Sequence, residues 1–126
     1  MRILQLFFVA SLALSLVVQM ATGQRGADDA AQAHLIIRFE AKQDRLTEFA
    51  AVMRDVERDM AAERGFVSAT VYRHADDPRV FTLVEVWQSR ALHEAHFERI
   101  VASGAWDNIL AMLRADPAMG YYDVMP

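Results

Sequence analysis

From His34 onward, apolar and polar positions alternate or recur with a period that names an element. In HLIIRFE the set Leu35, Ile37 and Phe39 is wholly apolar while Arg38 and Glu40 lie opposite, which predicts a strand closed by the polar KQD. Asp44 then stands where a helix cap is expected. Leu46, Phe49, Met53, Val56 and Met60 follow at spacings of three and four, one buried face of an amphipathic helix. Gly65 ends that helix at the position where a left-handed backbone is cheapest for glycine. FVSATVYR and VFTLVEVW alternate again on either side of the polar turn HADDPR, which predicts a hairpin. Ser89 is placed to cap a second helix, and Ser103-Gly104 interrupts it. Trp106, Ile109, Leu110 and Leu113 then share one side of a further helical stretch. Asp116-Pro117 breaks this, and YYDVM supplies a last short strand. The order βαββααβ is an α+β plan with one antiparallel sheet and its helices on one face.

Strand faces carry the next inference. Leu35, Ile37 and Phe39, then Val67, Ala69 and Val71, then Val80, Val84 and Val86 form apolar alternate sets, broken only by Thr82, and are expected under the helices. The opposite sets are mixed: Arg38 and Glu40; Ser68, Thr70 and Tyr72; Phe81, Leu83, Glu85 and Trp87. They are too apolar for water and too charged for a dry core. A second copy of the chain would suit both, with Arg38, Glu85 and Trp87 facing the partner and Arg38 pairing with Glu85 across strands. The expectation is a homodimer.

The N-terminus reads differently. Arg2 precedes an apolar run from Ile3 to Val18, and Ala21-Thr22-Gly23 offers small residues for cleavage before Gln24. Residues 1–23 read as a signal peptide, which implies export to the periplasm or beyond, with a membrane attachment only if the segment stays uncleaved. Residues 24–33 (QRGADDAAQA) are small and polar, a flexible tether, and the domain occupies 34–126. Removing Arg2 from the 13 basic side chains leaves 12 against 17 acidic ones, which argues against nucleic acid as a partner. The chain has no cysteine, so disulfides and thiolate chemistry are excluded.

Chemistry is concentrated in VEVWQSRALHEAHF, Val84 to Phe97. His93 and His96 are three apart, not four as in the HExxH zinc motif, and no third ligand stands at a recognisable spacing, so no metal site is expected. His96 shares a helical stripe with Leu92, Arg99 and Ile100 and is expected toward the sheet; His93 falls on the flank and is expected toward solvent. An imidazole in His96's position is either a hydrogen-bonded core residue or a desolvated base poised for proton transfer. Trp106 and Phe39 are placed to line a cavity for a flat aromatic ligand. There is no Gly-rich phosphate loop and no nucleophile elbow.

These residues resemble the antibiotic biosynthesis monooxygenase family, whose subunits form a dimeric α/β barrel. The resemblance rests on RFEAKQDRLTEF, YRHADDP and above all the strand-to-helix signature Glu-x-Trp-x-Ser then Ala-x-x-x-Ala-His, here Glu85, Trp87, Ser89, Ala91, Ala95 and His96. It implies a ferredoxin-like βαββααβ subunit whose sheet joins a partner's, and a pocket between sheet and helices. Several relatives oxidise hydroquinones or polycyclic phenols with O₂ and no cofactor. The resemblance therefore implies His96 as general base and Ile37, Phe39 and Trp106 as pocket walls, with a small aromatic substrate and O₂ as partners. The chain departs from the family at Gln43-Asp44, where Pro-Gly is common, and in the longer FERIVA segment. Ile37 and Leu110 stand where a haem-degrading branch has its asparagine and histidine, which argues against haem. Two readings follow: an exported, cofactor-independent monooxygenase, or a non-catalytic dimeric module of the same fold that binds a hydrophobic small molecule.

Overall fold

A computed structural model describes residues 31–126. The signal segment 1–23 and most of the tether lie outside the described residues. Seven elements follow in order: β1 (Ala33–Glu40), α1 (Leu46–Met60), β2 (Phe66–Arg73), β3 (Val80–Trp87), α2 (Arg90–Ala102), α3 (Ala105–Ala111) and β4 (Ala118–Tyr122), with a 3₁₀ turn at Gln43–Arg45 ahead of α1. The strands form one sheet in the order β2-β3-β1-β4, and every adjacent pair is antiparallel. This is the ferredoxin-like arrangement. Among the described residues no helix is long and apolar enough to cross a membrane.

The stripe on α1 behaves as its spacing requires. Phe49, Met53 and Met60 are buried, and Leu46 and Val56 pack at their flanks. Phe49 stacks edge-on against Phe39 of β1 and Phe81 of β3, with ring centroids 5.3 and 5.2 Å away. Such aromatic contacts add to the burial of apolar area that holds helix to sheet. Asp44 does not cap this helix: it sits inside the 3₁₀ turn, and the residue at the cap, Arg45, makes no side-chain cap bond. Ser89 does cap α2, accepting from the Leu92 amide at 3.3 Å. The last strand begins three residues earlier than YYDVM suggests, because pairing with β1 sets Met119 opposite Ile37 and Tyr121 opposite Leu35.

The faces of β1 are as expected, but β3 is turned over. Register puts Glu85 opposite Leu35, Leu83 opposite Ile37 and Phe81 opposite Phe39. Residues paired across a sheet share a face, so the buried face of β1 carries Phe81, Leu83, Glu85 and Trp87 under the helices. Val84 and Val86 lie on the uncovered side. Glu85 and Trp87 are therefore not on the partner-facing surface, and Glu85 cannot pair with Arg38, which sits exposed on the opposite face next to Thr82. The physical reason is volume. Between sheet and helices the gap is filled by large side chains, and Phe81, Leu83 and Trp87 outweigh a row of valines. On β2, Ala69 and Val71 follow Glu85 and Leu83 inward, whereas an irregularity between Phe66 and Ser68 leaves Val67 exposed.

Gly65 is the most closely packed of the described glycines. It adopts φ +87°, and a Cβ there would stand 2.6 Å from Leu92 Cδ1 and 2.7 Å from Leu92 Cβ on α2. Its carbonyl also accepts from the Gln88 amide, tying the α1–β2 loop to the end of β3. Gly104 has nearly the same φ, +80°, with nothing within 4 Å. Both glycines relieve left-handed strain of about 1–2 kcal/mol, but only Gly65 also makes room for a neighbour. Gly104→Ala is expected to cost about 1 kcal/mol and Gly65→Ala at least about 2 kcal/mol more, measured by urea unfolding of the two variants. Equal losses would mean that the Leu92 contact yields freely.

Candidate functional site

Beneath α2 the sheet and helices enclose a cavity of about 70 Å³. Ile37 and Phe39 of β1, Leu83 and Glu85 of β3, Met53 and Val56 of α1, His93, His96 and Phe97 of α2, and Trp106 of α3 line it. All four residues expected at a pocket, His96, Ile37, Phe39 and Trp106, meet there. The walls are hydrocarbon and aromatic apart from one polar cluster formed by Glu85, His93 and His96.

His96 is buried on α2, as its stripe predicts. Its ring lies 4.9 Å from the Trp87 ring. Glu63 Oε2, from the loop after α1, approaches His96 Nδ1 to 3.3 Å but off the direction of a ring N–H, so Nδ1 is buried without a hydrogen bond. Arg99 holds the Glu63 carboxylate at 2.6 Å. That bond, helped by the nearby His96, keeps the Glu63 carboxyl below its ordinary range against a smaller cost of burial.

His93 does not face solvent. It is 4% exposed, against 7% for His96, and its Nδ1 bonds the Tyr121 hydroxyl of β4 at 2.5 Å. Burial, with His96 close by, pushes its pKa down to about 4. The flank position read from the helical wheel failed because the inward stripe of α2 runs through Ser89, His93, His96 and Ile100 and is not purely apolar.

Glu85 completes the cluster, and the strand pattern concealed it. It is 5% exposed; Oε2 accepts from Trp87 Nε1 at 2.7 Å and lies 3.9 Å from His93 Nε2. Desolvation raises its pKa, and the Trp87 bond offsets only part of that shift. The signal that could have found it was register with β1, whose inward face was legible. Among the described residues no three of the side chains His, Cys, Asp and Glu stand close enough to hold a metal ion.

Comparison with known proteins bears on this geometry. The sequence profile of the antibiotic biosynthesis monooxygenase family matches residues 33–102, more than half of the chain. The chain belongs to that family. The match takes in β1 through α2 and therefore most of the cavity wall. Among solved structures of the same fold, SnoaB of Streptomyces nogalater, a cofactor-independent oxygenase, superposes with a TM-score of 0.65 at 17% identity, covering 75% of this chain and 94% of that one. A protein of Mycobacterium tuberculosis gives 0.66 at 20% identity over 76% and 97% of the two chains. A conserved protein of Methanosarcina mazei gives 0.65 at 15% over 75% and 94%. No protein of curated function matches the chain in sequence. At these identities the superpositions establish the fold.

The neutral state of His93 links the site to stability. Its folded pKa of about 4 lies below the ordinary 6.5, so between those values the unfolded chain binds the extra proton. Stability from this group is complete above pH 6.5 and is lost as pH falls toward 4, on the order of 3 kcal/mol. Glu85 acts in the opposite sense: its raised pKa favours the fold below pH 4.5 and loses that advantage as pH rises. The two slopes oppose one another as pH rises above 4.5, so the test is a comparison. Urea unfolding of the parent and of His93→Gln from pH 7 to pH 4 should show the parent losing more stability, by that order of magnitude; parallel curves would mean that His93 protonates freely in the fold.

Proposed function

We propose that this protein is a cofactor-independent monooxygenase that oxidises a small phenol or quinol with O₂, with His96 as general base. The observation that carries the reading is a buried histidine in the wall of an apolar cavity, with its Nδ1 edge turned to the Glu63 carboxylate 3.3 Å away. With a carboxylate beside Nδ1 the neutral ring keeps its proton there, which leaves the Nε2 lone pair to accept from a substrate hydroxyl. Once His96 has taken the proton, the imidazolium lies beside the Glu63 carboxylate, which Arg99 keeps in place. The charge separation is thus partly compensated before any substrate binds.

The chemistry then rests on the substrate. A phenolate is electron-rich and passes one electron to O₂; the aryloxyl radical and superoxide recombine at a ring carbon to give a peroxide. Breaking the O–O bond with loss of the ring-carbon proton leaves one oxygen on the ring as a carbonyl and releases the other as water. Phenol and O₂ become quinone and water, and the substrate supplies all four electrons. The protein supplies the base, the orientation and a water-poor slot. Ile37, Phe39 and Trp106 serve as the slot's walls.

The size of the cavity bears on both readings, because a substrate and a bound hydrophobic molecule need the same room. About 70 Å³ admits O₂ but falls short of the about 150 Å³ that holds one benzene ring. A substrate must displace part of the wall, and α3 is the part that yields: it is seven residues long, none of them buried, and it carries Trp106 against Phe97 at a centroid distance of 5.1 Å. We assign the chain to export on the pattern of residues 1–23.

We also propose a homodimer through the uncovered face of the sheet, where Ile36, Val84 and Val86 surround Thr82 and Arg38. That row is more apolar than a solvent-facing sheet needs to be, which suits burial against a second copy. The domain is expected to elute from gel filtration as a dimer, and Val84→Arg as a monomer; a monomeric parent would remove the interface.

The enzyme reading is tested by oxygen uptake with hydroquinones and naphthohydroquinones, in chelated buffer with a no-protein control. Uptake above autoxidation that falls at least about tenfold in folded His96→Ala is expected. Uptake equal to the control in both proteins would leave the binding module.

A further inference from the structure

The mechanism just described uses His96 and three apolar wall residues. Glu85 also lines the cavity, and nothing in that chemistry explains a carboxyl group there. Among the described residues no lysine or arginine lies within ion-pairing distance of it; its nearest basic atom is His93 Nε2 at 3.9 Å, and its only hydrogen bond comes from Trp87 Nε1. A buried carboxylate without a cation is costly by several kcal/mol, and such a group ordinarily takes up a proton instead. The groups that face it agree. From its own strand comes Trp87, a neutral donor; from β1 and β2 come the cross-strand partners Leu35 and Ala69; from α2 come His93 and His96. His93 Nδ1 is paired with the Tyr121 hydroxyl, and a neutral His93 brings no charge to Glu85. Because Oε2 is occupied by Trp87, the carboxyl proton belongs on Oε1.

We propose that Glu85 is held as a neutral carboxylic acid and donates a hydrogen bond to an acceptor oxygen of the bound ligand, complementing His96, which accepts from a hydroxyl. This assignment rests on the cavity being the substrate site. It narrows the ligand class to an apolar ring bearing a carbonyl or phenolic oxygen: a plain hydrocarbon of the same shape would leave the acid without a partner. Neutral carboxylic acids serve as donors in apolar active sites for this reason, since an ionised group could only accept.

Two measurements on the intact domain test it without turnover. Infrared difference spectra at pH 7 between the parent and Glu85→Gln should contain a carboxylic-acid carbonyl band from the parent; its absence overturns the neutral acid. Equilibrium dialysis should then compare 1-indanone with indane, which differ by one carbonyl oxygen. The parent should prefer indanone by about fivefold or more, the size of one net hydrogen bond. Glu85→Gln, whose amide still donates, should keep that preference within about twofold, and Glu85→Leu should bring the two probes near parity. Binding of neither probe, equal affinity in the parent, or a preference that survives in the leucine variant overturns the proposal. Because binding alone is read, a protein that shows both signatures and takes up no oxygen would retract the monooxygenase and keep the acid.

Discussion

The inward face of β3 carries a carboxyl group and an indole into the gap between sheet and helices, and each satisfies a need of the other. Trp87 is fully buried, so its Nε1 requires an acceptor; Glu85 is buried two residues away on the same face and supplies it. Trp87 then packs edge-on against Phe66 and His93 and lies against His96 with the two rings tilted by 34°. The pair thus sets where both histidines of α2 can rest. Tyr121 of β4 closes the far side through His93, which ties β3, β4 and α2 to one polar cluster.

That cluster gives the cavity two unlike ends. His96 has a carboxylate beside it on the half-exposed side, at Glu63, and that carboxylate is anchored by an arginine. Glu85 sits deeper, and among the described residues no lysine or arginine pairs with it. Two carboxyl groups within one small domain are driven in opposite directions, Glu63 down by its ion pair and Glu85 up by desolvation. Divergence of this kind is how one fold separates accepting a proton from donating one. It also suits a reaction in which the substrate brings the electrons and the protein manages only charge and position.

The rest of the domain supports this arrangement by being one-sided. Helices cover one face of the sheet, and the core of Phe39, Phe49 and Phe81 wedges α1 onto it. The third wall is the least consolidated: α3 starts at a left-handed Gly104 with no neighbour around it and brings Trp106 only half-buried to the cavity. A rigid floor with a lightly held roof is compatible with a small resting cavity that must open for a ligand.

Much of this was legible without coordinates. The order of elements, the inward residues of β1 and α1 and the Ser89 cap follow from local periodicity and capping, which a chain carries in its own spacing, whereas the meeting of His96 with Ile37, Phe39 and Trp106 at one pocket was implied by the family resemblance. The side of β3 did not follow, because VFTLVEVW is apolar on both faces and its own pattern cannot choose between them. His93 was misread for a related reason: a stripe containing histidines leaves the helical period without a clear apolar phase. Tertiary structure settled both at once. Hydrogen-bond register locks β3 to β1, so Leu35 carries Glu85 inward, and the buried indole and carboxyl then turn α2 until both its histidines face them. A strand's periodicity says that it has two sides; only the neighbour to which it is bonded determines which side is inside.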